Sequence, residues 1–278
     1  MKPFKLEPYY KEVIWGGACL NKVYQKPIPS AQTGESWEVS ARPEGISFVD
    51  GVPFDKFYAQ HKTEILGENA PEEFPLLLKL IDANDRLSVQ VHPKDHDSKT
   101  EMWYILDAEK DAELIMGFKK DISKEELKDR AESGNLEEVM HTVKTHKGDA
   151  FFIPAGLVHA IGKGNLILEV QQSSDTTYRL YDYNRGREIH VEQALECADL
   201  TAFKPFTFPE GCLSKCEFFD VEKDKLPKTL NGFAIVFAKD GTVQMDDILL
   251  NKGEFGIIPA EGEPVTVKGE GEFVYVTL

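Results

Sequence analysis

The nine residues KGDAFFIPA at 147–155 return as KGEFGIIPA at 252–260, 105 positions later, with five of the nine identical. Self-similarity of this kind means one folding unit used twice. Each copy opens on a Lys-Gly turn, runs through a short apolar strand and ends at a proline corner, so the unit is built of β-strands. Beyond the corner the copies diverge. His159 in the first stands where the second has Pro264, and no histidine follows His190. Only the first unit keeps a metal-binding side chain at that place.

The stretch Leu87–Glu101, LSVQVHPKDHDSKTE, belongs to the first unit. Leu87, Val89 and Val91 alternate with Ser88, Gln90 and His92. This period of two puts apolar groups on one face of a strand and polar groups on the other. Lys, Glu or Thr would serve on a face turned to water. Gln90 and His92, followed by Glu101, are instead donors suited to a divalent transition metal, zinc or iron. In the repeat, Gly148-Asp149 makes a turn, Ala150–Ile153 a buried strand and Pro154-Ala-Gly a tight corner. His159 then returns toward the first strand.

With 278 residues the chain can bury a core, and its 17 Phe and 9 Tyr favour β structure. A net charge of −16 argues against nucleic acid or an anionic membrane as partner. An anionic substrate must therefore meet a local cluster of Lys and Arg. Four scattered cysteines (Cys19, Cys197, Cys212, Cys216) do not form a disulfide framework, and Cys212 with Cys216 lacks the second pair a structural zinc site needs. No apolar leader or long apolar run is present, so a reduced cytoplasm is the expected setting.

Along the chain, residues 1–50 read as strands and loops that wrap another element. Residues 53–70 form a short helix stopped near Gly67. FPLLLKLIDA (74–83) is a central strand, and Lys79 within it faces a polar cavity unless it snorkels to the surface. Met102–Leu106 and Glu113–Phe118 are expected to pair as a hairpin. Ser123 with Glu126 and Asn135 with Glu138 form capping boxes for two helices in an insertion at about 121–145. LILEVQQ (166–172) puts Ile167, Glu169 and Gln171 on one face. Asp175, Arg179 and Arg185 follow among tyrosines, and Glu188–Leu200 forms one helix.

QVHP with Glu101, and the Gly-Pro-Gly-His spacing of 148–159, resemble the two motifs of the cupin family. The resemblance implies a mainly β fold of two cupin-like jelly-roll barrels. Residues 1–205 would be an N-terminal arm plus a metal-binding barrel with its helical insertion, and 206–278 a degenerate barrel that has lost its ligands. Trp15-Gly-Gly, GESWE at Gly34–Glu38, TEMWY at Thr100–Tyr104, IPAGLVHAI at Ile153–Ile161 and QSSDTTYRLYDYNR at Gln172–Arg185 extend the likeness nearly end to end. Together they resemble type I mannose-6-phosphate isomerase (phosphomannose isomerase) in its short bacterial form. That family interconverts an aldose phosphate and a ketose phosphate through a cis-enediol. The resemblance implies one zinc per chain held by Gln90, His92, Glu101 and His159, and a catalytic Arg179. It puts Lys79, Ser88 and Glu169 at active-site positions, and Arg185 is close enough to share the arginine's role or bind phosphate. Glu169, metal-bound water or Lys79 would carry the proton. The segments from His92 to Glu101 and from Arg185 to His190 are shorter than in relatives, which bears on the pocket's shape. A small sugar phosphate is the expected partner, and the chain is expected to be a monomer. A non-haem iron oxygenase and a non-catalytic sugar-phosphate-binding cupin are the alternatives. Gln90 in place of a third histidine counts against the first, and an intact ligand set with Arg179 against the second.

Overall fold

The computed structural model describes residues 1–95 and 97–278. The chain is mainly β, as expected, and its strands form four large sheets. Strand alternation explains how these stack. In Leu76–Ala83, Leu76, Leu78 and Leu80 face one way, while Ile81, Ala83 and Lys79 face the other. Glu101–Ala108 and Asn165–Gln172 repeat the split. Met102, Tyr104, Leu106, Leu166, Leu168 and Val170 join the first face; Trp103, Ile105 and Ile167 join the second. All three strands are apolar on both faces, so the six-stranded sheet containing them lies inside the molecule. Its order is Ala150–Ile153, Glu101–Ala108, Asn165–Gln172, Leu76–Ala83, Thr33–Val39, Tyr9–Gly17.

The second face of this sheet meets a five-stranded sheet ordered Met140–Lys144, Glu113–Phe118, His159–Ile161, Val89–Val91, Tyr178–Tyr181. The two close over Leu114, Met116, Trp103, Ile105, Ile161 and Ile167. The five-stranded sheet is covered outside by the helices Lys124–Ser133 and Val191–Cys197, through Leu127, Ala194 and Leu195. The first face of the six-stranded sheet packs on a sheet of the C-terminal part through Phe219, Ile235, Phe237, Phe255 and Val276. A four-stranded sheet closes the far side. Phe4–Lys5 pairs with Phe255–Ile258, so the N-terminal segment completes a C-terminal sheet.

Several local expectations are corrected. Glu101–Ala108 and Glu113–Phe118 are not a hairpin; they lie in opposite sheets, because the chain between them crosses from one sheet to the other. The Ser123 cap forms, accepting from the Glu126 N–H at 3.1 Å, but Asn135 starts only a 3₁₀ turn, Leu136–Glu138. The helix expected over 188–200 is Val191–Cys197. Ala150–Ile153 is half-buried, with only Ile153 fully inside. A short helix, Cys19–Tyr24, was not foreseen; the remote Asp82 carboxylate accepts the Cys19 N–H at 2.6 Å.

Candidate metal centre and substrate cavity

Register places the polar groups in two facing rows. On the five-stranded sheet, His159 pairs with Gln90 and Gln90 with Arg179. On the six-stranded sheet, Trp103 pairs with Glu169, Glu169 with Lys79 and Lys79 with Trp37. Glu101 opens its strand beside the first row, and His92 follows directly after Val91. The corner at Gly156 ties the two histidine segments together. Its N–H donates to the His92 carbonyl at 3.0 Å, and its φ is +89°. A Cβ there would lie 2.8 Å from the Cys197 carbonyl oxygen, so glycine is required for close approach as well as for φ.

His92, Glu101 and His159 form a buried cluster whose donor atoms all lie within 4.8 Å of one another. Glu101 Oε2 is 3.5 Å from His92 Nε2, and Oε1 is 3.4 Å from His159 Nε2. His92 Nδ1 lies 2.9 Å from the Thr176 carbonyl and His159 Nδ1 lies 2.8 Å from the Leu157 carbonyl. A carbonyl only accepts, so each Nδ1 carries the proton and each Nε2 lone pair points into the cluster. Burial, reinforced by Lys99, pushes His92 down to about 4, and burial also lowers His159. Burial opposes the charge on Glu101, yet the Lys99 ammonium beside it outweighs burial and holds that carboxyl well below the usual range. Two neutral imidazoles and a carboxylate are the protonation states a divalent cation binds. Both Glu101 oxygens are buried and accept no well-formed hydrogen bond among the described residues. The Lys99 ammonium, 2.9 Å from Oε2, balances the buried charge, and two imidazole Nε2 lone pairs beside a carboxylate are a donor set that fits a metal. Gln90 reaches the same point, its Nε2 3.4 Å from His159 Nε2. Turning the amide over would present Oε1.

The cluster lies beneath one end of a cavity of about 320 Å³, lined by Gln90 and His159 together with Lys79, Ser88, Glu169 and Arg179. Lys79 stands between Glu169 (3.3 Å) and Glu35 (3.7 Å). Each carboxylate accepts an indole N–H, from Trp103 at 2.9 Å and Trp37 at 2.6 Å. Burial disfavours the Lys79 ammonium, but Glu169 and Glu35 outweigh it and raise its pKa above the ordinary lysine value. Ser88 Oγ accepts from Arg179 Nε (3.3 Å) and donates to Gln90 Oε1 (3.2 Å), linking the arginine to the candidate ligand. Arg179 Nη1 also donates to the Glu188 carbonyl, and among the described residues Arg179 has no ion pair.

Arg185, a sequence candidate, does not line this cavity. Its guanidinium donates to the Arg86 carbonyl and to Asp182. Arg187 lines the cavity instead, and so do Lys99, Lys11 and Glu35. No motif marks Lys99 in the sequence, yet its ammonium is 2.9 Å from Glu101 Oε2 and 3.2 Å from His92 Nε2. Its two-residue spacing from Glu101 was the available signal, hidden in a run of polar residues that looks like a solvated loop.

Residues 3–128 match the family model for the phosphomannose isomerase type I catalytic domain. A mannose-6-phosphate isomerase of Streptococcus mutans is 39% identical, the match covering 93% of this chain and 92% of the relative. A probable mannose-6-phosphate isomerase of Bacillus subtilis is 44% identical over 75% of this chain and 72% of its own. The crystal structure of the mannose 6-phosphate isomerase from Bacillus subtilis superposes with a TM-score of 0.90 at 32% identity, covering 100% of both chains. That of a putative mannosephosphate isomerase from Archaeoglobus fulgidus gives 0.83 at 25%, covering 99% of this chain and 96% of the other.

Proposed function

Because this chain belongs to the type I phosphomannose isomerase family, we propose that it interconverts mannose 6-phosphate and fructose 6-phosphate, using one divalent metal, zinc, and a cis-enediol intermediate. The observation that carries the metal-dependent reading is the trio His92, Glu101 and His159, with both Nδ1 atoms tied to backbone carbonyls and both Nε2 atoms converging on the Glu101 carboxylate. Gln90 completes the set. A divalent ion held there supplies a Lewis acid toward the substrate's carbonyl and hydroxyl oxygens.

The remaining roles fall to residues of the chain. Arg179 stays charged and planar, and it meets the negative charge that grows on the substrate oxygens. Glu169 carries the proton between C2 and C1. Lys79 is unsuited to that task, because two carboxylates keep it protonated; it supplies a fixed positive charge beside Glu169. Ser88 orients Arg179 and Gln90. Arg187, at the cavity wall, takes the phosphate. The C-terminal sheets, with Pro264 at the repeat's ligand position, are structural.

Metal analysis of purified protein, followed by a coupled assay of mannose 6-phosphate conversion, tests the reading. Stoichiometric zinc and activity lost on chelation are expected, with His159→Ala stripping most of the metal. Full zinc retention by that variant under chelation would remove the site, and a metal-loaded protein without turnover would remove the isomerase.

A further inference from the structure

Asp182 follows directly on the strand that carries Arg179, and it is only 2% exposed. The chain turns back on itself there, with the Arg185 N–H donating to the Asp182 carbonyl at 3.1 Å. Both central residues have positive φ, +53° at Tyr183 and +60° at Asn184. That is the signature of a type I′ turn, and a bulky aromatic rarely adopts it. Tyr183 is kept in place by the Arg86 guanidinium 3.6 Å over its ring and by Tyr181 at 4.9 Å. Backbone outliers held by their surroundings cluster at functional sites.

The tight return brings two arginines to one carboxylate. Arg187 Nε donates to Asp182 Oδ2 at 2.9 Å, while its Nη2 donates to Oδ1. Arg185 Nη2 donates to the same Oδ1 at 2.7 Å, and its Nη1 is tied to the Arg86 carbonyl at 2.8 Å. Two guanidiniums sharing one oxygen would repel each other without the charge between them. With it, the cluster keeps one net positive charge. Arg187 spends the Nε/Nη2 edge on Asp182, and the residue lines the cavity, so Nη1 is the donor not engaged by Asp182.

We propose that Asp182 is a positioning residue that holds the Arg187 guanidinium, through its fork, in the orientation that receives the substrate's phosphate. The proposal rests on the sugar-phosphate reading of the cavity and adds what fixes the arginine. Preorganisation is the physical content: an exposed arginine must be ordered when the ligand binds, whereas this one is already ordered by its own counter-ion.

The test uses the metal-loaded full chain and two readouts: inorganic phosphate affinity by calorimetry, and KM and kcat for mannose 6-phosphate. Asp182→Asn keeps shape and removes charge. It should weaken phosphate binding and raise KM, each by about tenfold, with kcat nearly unchanged. Arg187→Ala should lose at least as much, and the double variant no more than Arg187→Ala alone, because Asp182 acts through Arg187. Should Asp182→Asn fail to fold, Arg187→Lys takes its place: it keeps the charge, loses the fork and should show the same loss. Wild-type phosphate affinity in the folded variant, or losses that multiply in the double variant, overturn the proposal. Phosphate calorimetry needs no turnover, so a clamp that behaves as expected in a protein without isomerase activity supports Asp182's role while rejecting the isomerase.

Discussion

Thr176 and Leu157 fix the tautomers of His92 and His159 by offering each Nδ1 a carbonyl, while burial keeps both imidazoles neutral. Neutral burial makes stability depend on pH. His92 is held down to about 4, against about 6.5 in an unfolded chain. Between those values the unfolded state binds more protons, so stability rises with pH across the window and is lost as pH falls through it. Chelated protein should lose roughly 2 kcal/mol between pH 7 and pH 5 from this residue. Urea midpoints at the two pH values check it, and His92→Asn should flatten the slope. Arg179 gives a kinetic prediction at the same scale. A surface arginine would pair with Asp175 or Asp182, but Asp182 is engaged by Arg185 and Arg187. Arg179→Ala should therefore lower kcat by roughly a hundredfold or more with metal content kept. Arg179→Lys should recover little. A loss confined to KM would assign Arg179 to ground-state binding instead.

The corner Pro154-Ala-Gly156 shows what an element contributes beyond its residues. It joins a strand of one sheet to a strand of the other, and its Gly156 N–H is bonded to the segment of the second histidine. Gly156→Ala forces a Cβ against the Cys197 carbonyl at positive φ. It should cost roughly 1–3 kcal/mol, and zinc occupancy should fall further than the urea midpoint implies, because His159 moves with the corner. This corner was legible in sequence, since Gly and Pro report backbone geometry directly. So was the Leu76–Ala83 strand, whose apolar run needs two buried faces. The Glu101–Glu113 connection was not legible: alternation says that each segment is a strand, but only the packing of the two facing sheets says which neighbour it pairs with. Arg187 escaped notice for a similar reason. A positive-φ turn, not spacing along the chain, decides that it reaches the cavity while Arg185 does not. Helix Cys19–Tyr24 depends on Asp82, some sixty residues away, so no local pattern announces it.

At the scale of the molecule, helices and four sheets are stacked so that the internal six-stranded sheet has a different function on each face. Lys79 and Glu169 face the cavity, and Leu78 and Leu168 face the C-terminal sheets. If that C-terminal part is structural, its core can be weakened without altering the chemistry. Phe255, fully buried and stacked on Phe237 at 4.4 Å, is the place to do it. Phe255→Ala should cost about 3–5 kcal/mol while kcat of the folded fraction at low temperature stays near wild type, read from urea melts and activity together. The pairing of Phe4–Lys5 with Phe255–Ile258 has a further consequence, for the time order of biosynthesis. Phe4 leaves the ribosome long before Ile257, its partner about 250 residues later. At roughly 5–20 residues per second, that wait lasts tens of seconds. Throughout it, the Phe4–Lys5 segment is without its pairing strand, and the sheet it edges cannot be completed until that segment is brought back to Phe255–Ile258.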